Sequence, residues 1–168
     1  MTVPLLFTAS ALLLLVAAWR DVVSRTIPDG VGLLLLTIGG LSRLFEGPSA
    51  LATSAAAALL LFVLLMVVYS RGLIGGGDVK LMTAFAIGLS PLNSYRFVVA
   101  TAIAGGVLGI VYLVLSRSKR LPQPTSDRSL LQRVMAVEFW RARRRGSLPY
   151  GVAIAAGGTF VLLHTGSL

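Results

Sequence analysis

The chain has 168 residues, of which 56% are hydrophobic and 12% charged, and its formal net charge is +9. Its mean hydropathy of +0.88 excludes an ordinary soluble globular protein and is typical of an integral membrane protein. There is no cysteine, which excludes disulfides and cysteine-ligated zinc, and the single His164 argues against a histidine-based metal site. We therefore expect neither a metal nor a cofactor.

Six apolar segments predict a bundle of six transmembrane helices, since a span needs about 20 apolar residues. The alternating segments of a membrane barrel are absent, so the predicted fold is one all-α membrane domain over residues 1–168. No basic residue precedes the first segment, which favours a retained span over a cleaved signal peptide. The segments run from about Val3 to Trp19, Val31 to Phe45, Ser49 to Tyr69, Val79 to Leu92, Phe97 to Leu115 and Leu148 to His164.

The basic residues predict the orientation of these spans. With the N-terminus outside, only Arg43 and Arg96 of the 15 basic residues fall in outer loops. Because cytoplasmic loops of membrane proteins are enriched in Lys and Arg, we expect a cytoplasmic-membrane protein with both termini outside.

The loop at about residues 117–147 is the largest inner loop and carries nine basic residues. Within it, Leu130, Val134 and Val137 repeat at helical spacing, which predicts an amphipathic helix on the inner membrane surface. The basic residues favour anionic lipid headgroups as a partner, although a solvated loop without a specific partner has the same composition. No aromatic stacking platform accompanies the charge, so we do not expect nucleic acid as a partner.

Two aspartates are predicted to lie on the same side of the membrane. Asp21 directly follows the first span and Asp78 directly precedes the fourth, so the chain crosses twice between them. Both then lie at the cytoplasmic face and at similar depth. Two carboxyls that approach closely cannot both ionise easily, and such a pair can activate water and protonate a leaving group. The pattern predicts an aspartic peptidase whose acids titrate as a coupled pair.

The glycines ahead of Asp78 support this interpretation. Gly75, Gly76 and Gly77 can adopt conformations closed to other residues and let a substrate strand approach closely. Simpler roles exist for each acid taken alone. Asp78 could cap the fourth helix, Asp21 could be an interfacial residue paired with Arg20 or Arg25, and Asp29 is expected to cap the second helix. Acids near a membrane core are seldom without function, and the equal depth of Asp21 and Asp78 favours a site.

Three motifs resemble those of a known family. "GGGDVK" (75–80) contains a Gly-x-Gly-Asp signature, and "DVVSRTIPD" (21–29) is similar to an Asp-x-x-x-Arg-x-Ile-Pro-Asn element. "LPYGVAIAAGG" (148–158) is similar to a Pro-Tyr-Gly element of a last span. Together they resemble the type IV prepilin peptidases, and in particular the short branch that serves Flp/Tad-type pili.

The resemblance implies a catalytic pair and a substrate. Asp21 and Asp78 would be the catalytic acids, and the substrate would be a prepilin or pseudopilin. Such proteins carry a short basic leader in the cytoplasm ahead of a hydrophobic helix, and the cut follows a glycine. The residues implied to bind substrate or support the site are Gly75, Gly76, Gly77, Lys80, Arg25, Pro28, Pro149, Tyr150 and Gly151.

Individual roles follow for some of these residues. Lys80 would orient the site or hold a lipid phosphate, and Arg25 would anchor the loop after the first span, although both also fit ordinary positive-inside charge. Pro149, Tyr150 and Gly151 would pack the last span near the acids, and Tyr150 also fits an interfacial aromatic residue.

Two features depart from the family pattern. Position 29 is Asp where the family usually has Asn, which adds an acid while preserving the expected cap. The long bacterial branch carries an insert with paired Cys-x-x-Cys motifs and methylates the new N-terminus. Since this chain has no cysteine and no room for that insert between its first two spans, we predict a peptidase without methyltransferase activity.

Other functions share parts of this pattern. An archaeal preflagellin-type peptidase uses the same two-aspartate plan. Presenilin-like proteases place their acids on adjacent spans with a Tyr-Asp motif that this sequence lacks. A small proton-coupled transporter would need acids near the midplane with access from both sides, and a purely structural membrane subunit is the remaining alternative.

Overall fold

The protein forms a bundle of helices. A computed structural model describes residues 2–26, 28–117 and 148–165, and within these ranges the chain forms six helices and no strand. The all-α prediction is therefore confirmed for this part of the chain, whereas the predicted surface helix around Leu130 lies outside the described residues. The helices are α1 (Thr2–Ser24), α2 (Asp29–Glu46), α3 (Pro48–Ser70), α4 (Gly76–Ala86), α5 (Pro91–Arg117) and α6 (Tyr150–Thr165).

Among the residues that the structure describes, three helices are long and apolar enough to cross a membrane. The spans cover Leu6–Ser24, Pro48–Ser70 and Pro91–Val114, while α6 is apolar but shorter. Large apolar side chains such as Leu64 and Ile110 are exposed on the outer surface, where lipid can surround them. The chain is thus a multi-pass membrane protein. Six spans and the outward position of the termini stay predictions.

Proline and glycine residues set the junctions between helices. Pro48 and Pro91 stand first in α3 and α5, where the missing amide hydrogen costs no helical hydrogen bond. Gly47 joins α2 to α3 with φ 125°, and Gly72 follows α3 with φ 70°, which are backbone conformations that favour glycine. These residues place the sharp turns between consecutive helices.

The fourth apolar segment differs from its prediction. We expected a span over about Val79 to Leu92, but α4 has 11 residues and residues 87–90 form a turn. The turn is fixed by a close backbone approach, because a Cβ on Gly88 would lie 2.8 Å from Cα of Gly39 in α2. The helix also begins three residues early, since Gly75 is tolerated as an N-cap.

The core lies where α1, α4, α5 and α6 meet. Leu14 of α1, Phe85 of α4 and Phe97 of α5 are buried there, and the two phenyl rings pack edge to face with centroids 4.9 Å apart. Gly158 of α6 is required by this packing, since a Cβ would lie 2.4 Å from Leu14 Cδ1 and 3.2 Å from Phe85 Cε1. Such contacts draw α6 tightly onto α1 and thereby fix its N-terminal end.

Candidate active site

Three helix ends meet at one end of the bundle. α6 packs along α1 and α5, whereas α4 packs against α2 and α3 and also contacts α6. Asp21 lies in the last turn of α1, Asp78 in the first turn of α4 and Gly151 in the first turn of α6. The structure therefore brings together the two predicted acids and the motif of the last helix.

Asp21 is a buried acid with a defined partner. Its relative exposure is 7%, and the backbone N–H of Gly151 donates a hydrogen bond of 2.8 Å to Asp21 Oδ2. The first turn of a helix offers unpaired amide hydrogens and the positive end of the helix dipole, both of which suit a carboxylate. An exposed interfacial role for Asp21 does not account for this burial or this contact across 130 residues of sequence.

The N-terminal turn of α6 fits closely around Asp21. A Cβ on Gly151 would lie 2.8 Å from Asp21 Cβ and 3.0 Å from Asp21 Oδ2, so only glycine allows this approach. Pro149 is buried directly ahead of the helix, and the Tyr150 ring lies 3.4 Å from the Cβ position of Gly105 in α5. Of the three residues predicted to pack near the acids, Gly151 contacts Asp21 directly, while the Tyr150 ring packs against Gly105 of α5.

Asp78 is less deeply buried and is held locally. It is the third residue of α4, and its Oδ2 accepts a hydrogen bond of 3.2 Å from the backbone N–H of Gly75. Asp78 thus does cap α4, which is the simpler role that the sequence also allowed for it. Its Oδ1 accepts no hydrogen bond from the described residues, so this oxygen is available to water or substrate.

The electrostatic environment of Asp78 reflects its position. Asp78 precedes the apolar residues of α4 and lies outside the three candidate spans. Burial raises the pKa of its carboxyl to about 6, and the negative charge of Asp21 acts in the same direction. The hydrogen bond from Gly75 and the charge of Arg25 lower the pKa in part. The two carboxyls therefore interact across the junction of α1 and α4.

The glycine triplet acts differently from our expectation. Gly75 has an ordinary extended conformation (φ −79°, ψ 149°), and Gly76 and Gly77 lie in the first turn of α4, so no conformation closed to other residues occurs here. The need for glycine at position 75 is steric, because a Cβ there would lie 3.0 Å from Asp78 Oδ2. Small size, rather than backbone freedom, lets the carboxyl fold back onto its own helix end.

Arg25 lies at the end of α1, close to both acids. Its φ of 56° is unusual for a residue with a side chain, and its N–H donates to Asp21 O at 3.0 Å, closing the last turn of the helix. The side chain is half-buried, and its charge acts on the Asp78 carboxyl. These contacts are compatible with the predicted role as an anchor of the loop after α1.

The predicted cap at Asp29 is wrong. Pro28 occupies the N-cap position and makes no side-chain cap, while Asp29 is the first residue of α2. Its Oδ1 instead lies 2.9 Å from Lys80 Nζ, in an ion pair whose side chains are both exposed. An acid in the first turn of a helix is favourable even without a capping hydrogen bond, so the sequence correctly placed Asp29 at the start of α2. The ion pair with Lys80 was not predicted. Lys80 is therefore tied to α2.

A groove beside Asp78 was not predicted from the sequence. It measures about 490 Å³ and lies between α2 and α4, with Phe62 of α3 at its base; we call it the α2–α4 groove. Gly77 and Lys80 line it next to the acid, and Gly30 and Gly32 line it on α2. The sequence signal was the presence of Gly30 and Gly32 near the start of α2.

The described residues contain no group of three or more His, Cys, Asp or Glu side chains that could hold a metal ion. The negative charge of Asp21 does act on the Asp78 carboxyl, and two neighbouring carboxyls can share and transfer a proton.

Comparison with protein families agrees with the motifs. The profile of the type IV leader peptidase family matches residues 8–110, a range that contains Asp21, Asp78 and helices α2 to α4. Comparison with curated proteins and with solved structures gave no match. The family match covers more than half of the sequence, and the protein is a member of the type IV leader peptidase family.

Proposed function

We propose that the protein is a membrane aspartic endopeptidase that removes the short basic leader from prepilin-like proteins at the cytoplasmic face of the membrane. Family membership implies leader peptidase activity in general. The observation that carries the finer proposal is the meeting of Asp21 and Asp78 at one end of the bundle, where the charge of one raises the pKa of the other.

The chemistry requires the pair to hold one proton. The ionised carboxyl takes a proton from water, whose oxygen attacks the scissile carbonyl carbon. The protonated carboxyl donates to the leaving nitrogen as the carbon–nitrogen bond breaks, so the products are a carboxylic acid and an amine. Burial and mutual repulsion favour a single shared proton in such a pair.

The surroundings of the acids support a peptide substrate. Gly75 and Gly76 leave little side-chain bulk ahead of Asp78, so an extended backbone can approach its Oδ1. Both acids lie at the same end of the bundle, which does not suit a proton-coupled transporter with access from both sides. The excess of basic residues on the inner loops supports the cytoplasmic side for this end.

The test is coexpression with candidate prepilins, followed by mass spectrometry of the leader. Asp21→Asn and Asp78→Asn should each lower cleavage by about 10³-fold, since each removes one partner of the acid–base pair. Glu46→Gln is the matched control, because Glu46 pairs with Arg43 at the junction of α2 and α3. Normal processing by either aspartate variant, with both proteins present in the membrane, would refute the two-acid mechanism.

A further inference from the structure

The α2–α4 groove begins at the candidate active site and leads away from it. Gly77, next to Asp78 in the chain, lines its start, and Lys80, Leu81 and Ala84 continue the same face of α4. These positions recur at the spacing of one helix face over about two turns. The groove therefore starts one residue from Asp78 in the chain and runs along α4 toward its C-terminal end.

Two glycines on α2 line this groove, although no contact within the described chain requires glycine at either position. A Cβ added at Gly30 or Gly32 would meet no atom within 4 Å, whereas one at Gly39 would clash with Gly88. A glycine inside a helix destabilises it by roughly 0.5–1 kcal/mol relative to alanine. Packing within the chain explains Gly39 but neither Gly30 nor Gly32. Small residues on an open helix face in a membrane allow the backbone of a second helix to approach closely.

The rim of the groove is polar on the side of the active site. Lys80 and Asp29 pair across it at 2.9 Å, linking α4 to α2. Beyond the pair the walls are apolar apart from Thr83 and include Leu33, Leu36 and Phe62. An occupant must therefore be polar beside the acids and apolar beyond them.

We propose that the α2–α4 groove docks the first turns of the hydrophobic helix that follows the scissile bond of the substrate. This inference rests on the proposed function. With the scissile bond held between Asp21 and Asp78, the apolar chain beyond the bond needs an apolar surface close to the acids. The groove is such a surface, and its open glycines fit the backbone of a helix.

The proposal can be tested by filling the groove and comparing the cleavage of a long substrate with that of a short one. Gly32→Leu places a large side chain where no atom lies within 4 Å, so the fold should accommodate it. We would use a designed prepilin with a lysine-rich leader ending in glycine and an apolar helix, and a short peptide that ends three residues after the cut. The variant should lower kcat/KM for the designed prepilin about tenfold or more, mainly through KM, because misfit in an apolar pocket weakens binding by this amount.

The short peptide should be cleaved equally well by Gly32→Leu and by the wild type. Gly106→Leu is the matched control, since Gly106 on α5 is also exposed with no atom within 4 Å of its Cβ position. An equal loss for both substrates, an equal loss in Gly106→Leu, or no loss for the prepilin would each overturn the proposal.

A second experiment reports docking without cleavage. Because the chain has no cysteine, Leu36→Cys introduces a single thiol at the groove. It is combined with Asp78→Asn in nanodiscs of phosphatidylethanolamine and phosphatidylglycerol, mixed with the designed prepilin carrying one cysteine in its apolar helix, and oxidised with copper phenanthroline. We expect a disulfide between enzyme and prepilin that Gly106→Cys does not form.

The outcomes separate the two proposals. If the wild type leaves both substrates uncut while the disulfide forms at position 36, the proposed activity fails and the docking surface stands. If cleavage is normal but the thiol at position 36 stays unpaired with prepilin, lipid fills the groove and the docking proposal is overturned. A disulfide between two copies of the enzyme would assign the groove to self-association and would also overturn it.

Discussion

The two acids are held in different ways. Asp21 is buried in a helix of 23 residues and accepts a hydrogen bond from Gly151, which lies far away in the sequence. Asp78 is half-buried at the start of a helix of 11 residues and is held by Gly75, three residues before it. The position of Asp21 therefore depends on tertiary packing of α6, whereas the position of Asp78 depends on its own helix end.

This difference has a physical consequence. Moving Asp21 requires α6 to separate from α1, which would break packed contacts around Leu14 and Gly158. Moving Asp78 requires only that the first turn of α4 fray, and helix ends fray readily. Asp21 is thus the fixed member of the pair, and Asp78 is the member that can adjust to a bound substrate.

Replacing Gly151 should lower the rate of leader cleavage more than any other change to the contacts that hold the two acids. In Gly151→Ala the new methyl would lie 2.8 Å from Asp21 Cβ, so α6 or Asp21 must shift. Misplacement of a catalytic group by about 1 Å lowers rates by about 100-fold, and we expect a loss of this size in leader cleavage. Cleavage assays on detergent-purified protein of unchanged elution volume would measure it. Activity close to that of the wild type would show that the Gly151 contact does not position Asp21.

Gly75→Ala is the matched change on the other side of the pair. Its φ and ψ suit alanine, and the new methyl would lie 3.0 Å from Asp78 Oδ2, at the end of a side chain that can rotate. We expect a loss of about tenfold or less, since a small adjustment relieves the contact. The same cleavage assay compares the two variants. A loss greater than that of Gly151→Ala would reverse the assignment of fixed and adjustable acid.

Leader cleavage should depend on pH through the raised pKa of Asp78. Because the pKa of Asp78 is raised to about 6, its proton is lost as the pH increases through this value. If the pair needs one proton, kcat/KM should fall about tenfold for each pH unit above the apparent pKa of the pair. A pH–rate profile of the wild type measures this limb. A rate that is constant or rising between pH 6 and pH 8, interpreted with the same coupled-pair scheme, would contradict it.

Removing the charge of Asp21 should lower the pKa of Asp78. In Asp21→Asn the negative charge that raises the Asp78 pKa is removed, so that pKa should fall. Infrared spectroscopy of the protonated carboxyl band, with Asp78→Asn as the reference, can follow the titration in the inactive protein. An unchanged Asp78 titration would mean that the two acids do not interact in the membrane.

Asp29→Asn should produce the smallest effect. The Asp29–Lys80 ion pair is exposed on both sides, and such pairs contribute about 0–1 kcal/mol. An asparagine oxygen can still accept a hydrogen bond from Lys80, so we expect leader cleavage within about threefold of the wild type. A large loss in the same assay would give Asp29 a direct part in the reaction.

Much of the site could be predicted from the sequence, because the depth of a residue in the membrane follows from the apolar segments next to it in the chain. The length of the first apolar segment and the two predicted crossings between Asp21 and Asp78 predict that both acids lie at one end of the bundle. The predictions that were wrong concern which partner a side chain contacts and which backbone conformation a glycine adopts. Asp29 was expected to cap α2 and instead reaches Lys80, and Gly75 was expected to have an unusual backbone and instead makes room for a carboxyl.

From the sequence alone follow the all-α class, the membrane setting and the expectation that Asp21 and Asp78 lie at one end, because hydrophobic length and the predicted crossings set the depth of a residue. Only the tertiary structure decided that Gly151 holds Asp21, that α4 ends early against Gly39, and that a groove opens beside Asp78. These features depend on how each helix is rotated about its axis and which neighbour it meets. That rotation is set by side-chain packing between distant segments, for which hydropathy carries no signal.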